Sequence, residues 1–136
     1  MTNNLYRQAA EDLLAKYGVS VRRYRPSYAG CAHEDRTIEA PEPIGSISFG
    51  ILAHEVGHVV LHGSRQNPRF VEEVEAWEFA LNALDEYGLK GYERLYTRAL
   101  QAIAYSFQKA LRRKYPPALI ENRFPVWWKE ASPFLR

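Results

Sequence analysis

The stretch Ile47-Ser48-Phe49-Gly50-Ile51-Leu52-Ala53-His54-Glu55-Val56-Gly57-His58-Val59-Val60-Leu61-His62 decides how this chain is read. It is too long for a strand, and Gly63 follows it as a helix stop, so it reads as a buried helix. At ~100° per residue the two histidines four apart fall about 40° from one another on one face, so both imidazoles can reach one ion. Glu55, next to the first histidine, projects to the side of that pair. The surrounding residues are Phe49, Ile51, Leu52, Val56, Val59, Val60 and Leu61, and a charge buried among them without a partner would cost several kcal/mol.

The pattern H-E-x-x-H gives such a segment a chemical purpose. Zinc accepts neutral imidazole nitrogens at about 2.0–2.1 Å, and a catalytic site needs a third protein ligand plus an open position for water. His54 and His58 are therefore the expected metal ligands, and Glu55 the expected general base.

The next helix is expected to follow Ser64-Arg65-Gln66-Asn67, with Asn67 as N-cap and Pro68 at the first helical position, and to run to Tyr87 before Gly88. On a wheel with Trp77 at zero, Phe70, Val74, Leu81 and Leu84 lie within roughly 60° and define the buried stripe. Glu73 falls inside that stripe, whereas Glu72, Glu75 and Glu78 lie about 100° or more away. Glu73 is thus the expected third ligand, with Glu75 as fallback if the phase differs, and an ion pair with Arg69 four residues earlier is the competing account of Glu73. His62 arrives too early for the H-E-x-x-H-x-x-G-x-x-H spacing, whose glycine position is Leu61 here, so it is expected behind the ligands or at the helix end.

Working outward, Leu5, Ala9, Leu13, Leu14 and Tyr17 recur at helical spacing between a cap among Thr2, Asn3 and Asn4 and the stop at Gly18. Val19 to Arg25 reads as a strand, and Tyr28–His33 with Arg36–Ala40 as a hairpin around Glu34-Asp35. Residues 91–115 carry Leu95, Ala99, Ile103, Phe107 and Ala110 on one stripe of a third long helix. Beyond Pro116-Pro117, residues 118–136 are expected to wrap irregularly over the domain, packing Phe124, Val126, Trp127, Trp128 and Phe134. The expected fold is α+β in one domain, 1–136: an N-terminal helix and a small, mainly antiparallel sheet packed on the motif helix and two further long helices.

Composition bounds the rest. The 136 residues carry 46% hydrophobic and 25% charged residues, a globular balance that excludes intrinsic disorder. Eighteen Lys and Arg against 16 Asp and Glu leave +2, which gives no reason to expect nucleic acid, so Lys109, Arg112, Arg113 and Lys114 read as a solvated face. The single cysteine, Cys31, excludes an intramolecular disulfide and any all-cysteine metal site. No apolar run suits a membrane, and Met1 to Arg7 lacks a secretory pattern, so cytoplasmic residence is the expectation.

The residues His54-Glu55-Val56-Gly57-His58-Val59-Val60-Leu61-His62, followed by Glu73-Val74-Glu75-Ala76-Trp77-Glu78-Phe79-Ala80, resemble the ImmA/IrrE zinc metallopeptidases, whose pattern is H-E-x-G-H-x-x-L-H and then E-x-E-A-N-x-F-A. The resemblance spans Arg36 to Leu84. It implies a minimal zincin-like core with one catalytic zinc on His54, His58 and Glu73, and Glu55 as base. It also implies cleavage of a protein partner such as a helix-turn-helix transcriptional repressor, in mobile-element control or a stress response. Trp77 stands where the family usually has Asn or Asp, and Leu81-Asn82-Ala83-Leu84 replaces its Leu-Leu-Met-Pro continuation.

The expected function is a zinc-dependent endopeptidase, a hydrolase acting on a protein or peptide. The alternative is a non-catalytic, zinc-stabilised interaction module. In the leading reading an extended substrate pairs with an edge strand at Arg36–Ala40, and Tyr28, Tyr92 or Tyr96 stabilises the oxyanion. His33 is expected at the surface. Cys31 is expected as a small half-buried residue, with a thiolate switch on the zinc as the sharper alternative.

Overall fold

The computed structural model describes residues 4–63 and 67–135. Helix α1, Leu5–Tyr17, begins where the Asn4 side chain accepts the Arg7 backbone N–H at 3.0 Å. It ends at Gly18, whose φ of 64° is the left-handed conformation that closes a helix, and Val19 N–H returns to Leu14 O.

Three strands follow: β1, Ser20–Arg25; β2, Cys31–Ala32; and β3, Thr37–Pro41. Their spatial order is β1-β3-β2. The expected hairpin forms, with Cys31 opposite Glu39 and Ala32 opposite Ile38 in antiparallel register. The longer pairing differs from expectation, since β1 runs parallel to β3 from Ser20↔Thr37 to Arg25↔Pro41, with an irregularity between Val21 and Arg23. The sheet is therefore mixed. Ile38 and Ala40 explain the order, because both are fully buried against the motif helix while β1 has no buried residue, so β3 takes the centre. The expected edge at Arg36–Ala40 is thus interior, and the sheet's open edge on that side is β2.

Helix α2, Ser46–Leu61, carries the motif and is buried almost throughout, as its apolar sequence demands. The Ser48 hydroxyl accepts the backbone N–H groups of Ile44 and Gly45, both at 3.0 Å, and fixes its start. Two glycines set how closely neighbours approach. A Cβ on Gly50 would lie 2.1 Å from Leu95 Cδ1, and one on Gly57 would lie 3.1 Å from Phe79.

Helix α3, Arg69–Glu86, starts after Pro68, which takes the cap position expected of Asn67. It turns off at Gly88, φ 62°. Helix α4, Tyr92–Arg112, buries Leu95, Ala99, Ile103 and Phe107 on the expected stripe. The C-terminal segment is more regular than expected: α5, Pro117–Arg123, and α6, Pro125–Ala131, precede a 3-10 turn at Ser132–Phe134. Pro117 and Pro125 each open a helix, where a missing N–H breaks no hydrogen bond, so these prolines start structure rather than interrupt it. Ile120 and Trp127 are buried and Trp127 stacks on Tyr96 at 5.4 Å, whereas Val126 and Phe134 remain exposed. Among the described residues no helix is long and apolar enough to cross a membrane.

Candidate metal centre

Helix α2 turns His54, Glu55 and His58 toward a cleft bounded by α3, by the segment from Tyr28 to Ala32, and by Arg98 and Ala102 of α4. All three motif side chains are buried to 6–7% exposure. Glu73, from the second turn of α3, reaches into the same space. Its Oε2 lies 3.2 Å from His54 Nε2, its Oε1 lies 3.3 Å from His58 Nε2, and the two Nε2 atoms are 3.1 Å apart. A tetrahedral ion with nitrogen and oxygen ligands at about 2.0–2.1 Å holds its ligand atoms about 3.3 Å from one another, so these separations are compatible with an ion as well as with direct hydrogen bonds. Glu73 also takes the ion pair weighed against it, with Arg69 at 2.7 Å. One carboxylate thus serves both arrangements.

Proton accounting supports the fit. Glu75 Oε1 lies 3.0 Å from His62 Nε2, and a carboxylate only accepts, so His62 Nε2 carries a proton. In neutral His62 the Nδ1 is then a lone pair, which accepts the Nδ1–H of His58 at 3.3 Å. His58 Nε2 is left as a lone pair facing Glu73 Oε1 and His54 Nε2. His54 can place one proton among these acceptors and Arg69 donates to Glu73 Oε1, which leaves the His58 Nε2 lone pair available to a cation.

Burial, opposed by the contact with Glu73, pushes His54 down to about 4, so its ring is neutral at pH 7. Burial pushes the Glu73 carboxyl upward, but contact with His54 and His58 outweighs it and holds the group well below the carboxylate range. A neutral imidazole at His54 and an ionised carboxylate at Glu73 are states that a divalent ion requires of its ligands. The His54 ring lies against Trp77, with centroids 4.2 Å apart, while His54 Nδ1 and Trp77 Nε1 have no hydrogen-bond partner. The tilted Trp77 ring covers this imidazole, whose Nε2 is in contact with Glu73 and His58.

Glu55 sits beside the histidines, its nearest ligand atom within 4.8 Å of theirs. Its carboxylate packs on Gly30, where a Cβ would lie 3.0 Å from Glu55 Oε2 and 2.9 Å from the Glu39 carbonyl oxygen. Sequence reasoning passed over Gly30, although an isolated glycine beside a strand signals a close backbone approach. It also placed Glu72 on the outer face, yet Glu72 is only 1% exposed and forms a second cluster with His58 and His62 that could hold an ion. Helix α3 packs on both α2 and α4, so its buried arc is wider than one stripe. Glu75, the fallback ligand, supports His62 instead.

Of the three tyrosines considered for the oxyanion, only Tyr28 lines the cleft; Tyr92 stacks on Tyr96, and Tyr96 on Trp127. His33 is half-buried, with Nε2 2.9 Å from Glu39 Oε2. Cys31 lines the cleft, but its thiol donates to Glu39 at 3.5 Å, and burial followed by Glu39 raises its pKa, which favours the thiol over a zinc-binding thiolate. Comparison with protein-family models, with curated proteins and with solved structures finds no match, so the chemistry of this site rests on its own geometry.

Proposed function

We propose that this protein is a zinc-dependent endopeptidase whose ion is held by His54, His58 and Glu73. The convergence of two imidazole nitrogens and a carboxylate at 3.1–3.3 Å, with a further buried carboxylate beside them, is the observation that carries the reading. Zinc bound there supplies Lewis acidity, which makes water acidic near neutral pH. Glu55 accepts a proton from the attacking water and delivers it to the leaving amide nitrogen. Arg69 holds Glu73 in place, and the Glu75-His62 pair keeps the His58 Nε2 lone pair turned to the cleft. Tyr28 is the tyrosine placed to donate to a carbonyl oxygen as it gains charge. A peptide would lie along the open edge of β2.

The motif resemblance to the ImmA/IrrE peptidases adds a regulatory protein of helix-turn-helix type as substrate candidate, and the sequence of Met1 to Arg7 together with the lack of a membrane-suited apolar run adds the cytoplasm as the site of action. A zinc-stabilised interaction module needs no base, and the close seat of Glu55 on Gly30 favours catalysis over that alternative. Glu55→Gln tests the reading. Zinc should stay bound, measured by metal content after dialysis, while hydrolysis of a co-encoded repressor falls by about 10²–10⁴-fold. Cleavage at an unaltered rate by this variant would end the mechanism.

A further inference from the structure

The charged groups of the cleft do not all have partners. Arg69 pairs with Glu73, and Glu55 is seated on Gly30, but Arg98 has no ion pair or hydrogen bond among the described residues although it is only half exposed. Its guanidinium lies over the Trp77 ring, 5.9 Å from the centroid, and the same ring lies 4.2 Å from that of His54. Arg98 therefore stands within roughly 10 Å of the candidate metal ligand, the reach of about three residues of extended chain. A guanidinium held by an aromatic face keeps its N–H fork free, and carboxylate is the group that fork fits best.

Helix α4 repeats the device. A shallow depression continues from Glu73 and Arg98 to Tyr105 and Lys109, and Lys109 Nζ lies 4.8 Å over the Tyr105 ring, again with no carboxylate partner among the described residues. Eleven residues separate Arg98 from Lys109, which returns them to within about 20° of the same helix face and about 16 Å apart along the axis. An extended peptide covers that distance in about five residues.

We propose that the cleft selects acidic peptides: a carboxylate side chain on Arg98, within about three residues of the reacting bond, and a second on Lys109 about five residues further along α4. The inference deepens the peptidase reading by naming its substrate class, and it rests on that reading for the place of the reacting bond.

The probes are N-acetylated, C-amidated serine/leucine peptides with two glutamates five positions apart, and the same peptides with either or both glutamates replaced by glutamine. Binding to the full chain is measured by titration calorimetry, with hydrolysis blocked by Glu55→Gln. The doubly acidic peptide should bind at least about tenfold more tightly than its glutamine counterpart, with the advantage shrinking as NaCl is raised. Arg98→Gln should remove the gain from one glutamate, and Lys109→Gln, in the last turn of α4, the gain from the other. Equal binding of the four peptides to the parent chain, or a glutamate preference that survives both substitutions, overturns the proposal. A preference that depends on Arg98, with no zinc-dependent hydrolysis by the unaltered chain, removes the peptidase reading and leaves acidic-peptide binding in place.

Discussion

Replacing Gly50 by alanine sets two effects against one another at the crossing of α2 and α4. An added methyl improves helix propensity by about 1 kcal/mol. It also arrives 2.1 Å from Leu95 Cδ1, 2.7 Å from Cδ2 and 2.9 Å from Cγ, where carbon atoms ordinarily rest about 3.5–4.0 Å apart. Because the branch carbon is itself too close, turning the end of the side chain does not clear the contact. Leu95 is fully buried, so α4 has to retreat. Overpacking of this kind costs about 1–3 kcal/mol, and given so short a contact the upper half of that range applies, for a net loss of about 1–2 kcal/mol. Leu95→Ala alone opens a cavity and costs about 2–5 kcal/mol. In the double variant the new methyl enters the vacated space and the helix gain returns, so the pair should be no less stable than Leu95→Ala, a coupling of about 1–3 kcal/mol. Urea unfolding of the four proteins followed by circular dichroism measures this cycle. Additivity within about 0.5 kcal/mol, or a Gly50→Ala protein as stable as its parent, would refute the packing argument.

Three further outcomes are expected. Gly30→Ala drives a methyl against the Glu55 carboxylate and should cut kcat about tenfold to a hundredfold with zinc affinity intact; weakened zinc binding with normal turnover would contradict the seat described for Glu55. His62→Ala removes the acceptor for the His58 Nδ1–H and should weaken zinc binding about 10–100-fold in chelator competition, while His62→Asn, whose amide oxygen can take the same proton, should recover part of it. Glu39, held first by His33 and then by Arg25, titrates at about 2 in the folded chain against an ordinary 4.5. A depressed carboxyl stabilises above its unfolded value and loses that contribution as pH falls from 4.5 toward 2, so Glu39→Gln should flatten the urea midpoint over that window alone.

What the sequence made legible was set by local rules. The α1 caps at Asn4 and Gly18 and the α4 stripe follow from capping chemistry and period, which involve no distant partner. The approach of Glu73 to both histidines was readable because one wheel position on an apolar face demanded a cation. Strand pairing was not readable: whether β1 joins β2 or β3 depends on which strand lies on α2, and only Ile38 and Ala40 in place answer that. Glu72 was misjudged for the same reason, since its burial comes from the end of α2 meeting the start of α3. The irregular wrap expected of residues 118–136 is instead two short helices, because Pro117 and Pro125 sit at helix starts, where a missing N–H breaks no hydrogen bond.

The walls of the cleft come from distant parts of the chain, and this orders its completion during synthesis. Everything from Gly30 to Glu75 leaves the ribosome first, whereas Arg98 and Lys109 follow a few seconds later at roughly 5–20 residues per second. A nascent chain halted after α3 therefore holds His54, Glu55, His58 and Glu73, but neither the two aromatic-backed cations nor the Leu95 side chain that covers Gly50. Under the proposed function, the residues that would hold the ion are synthesised before the helix that would select the peptide.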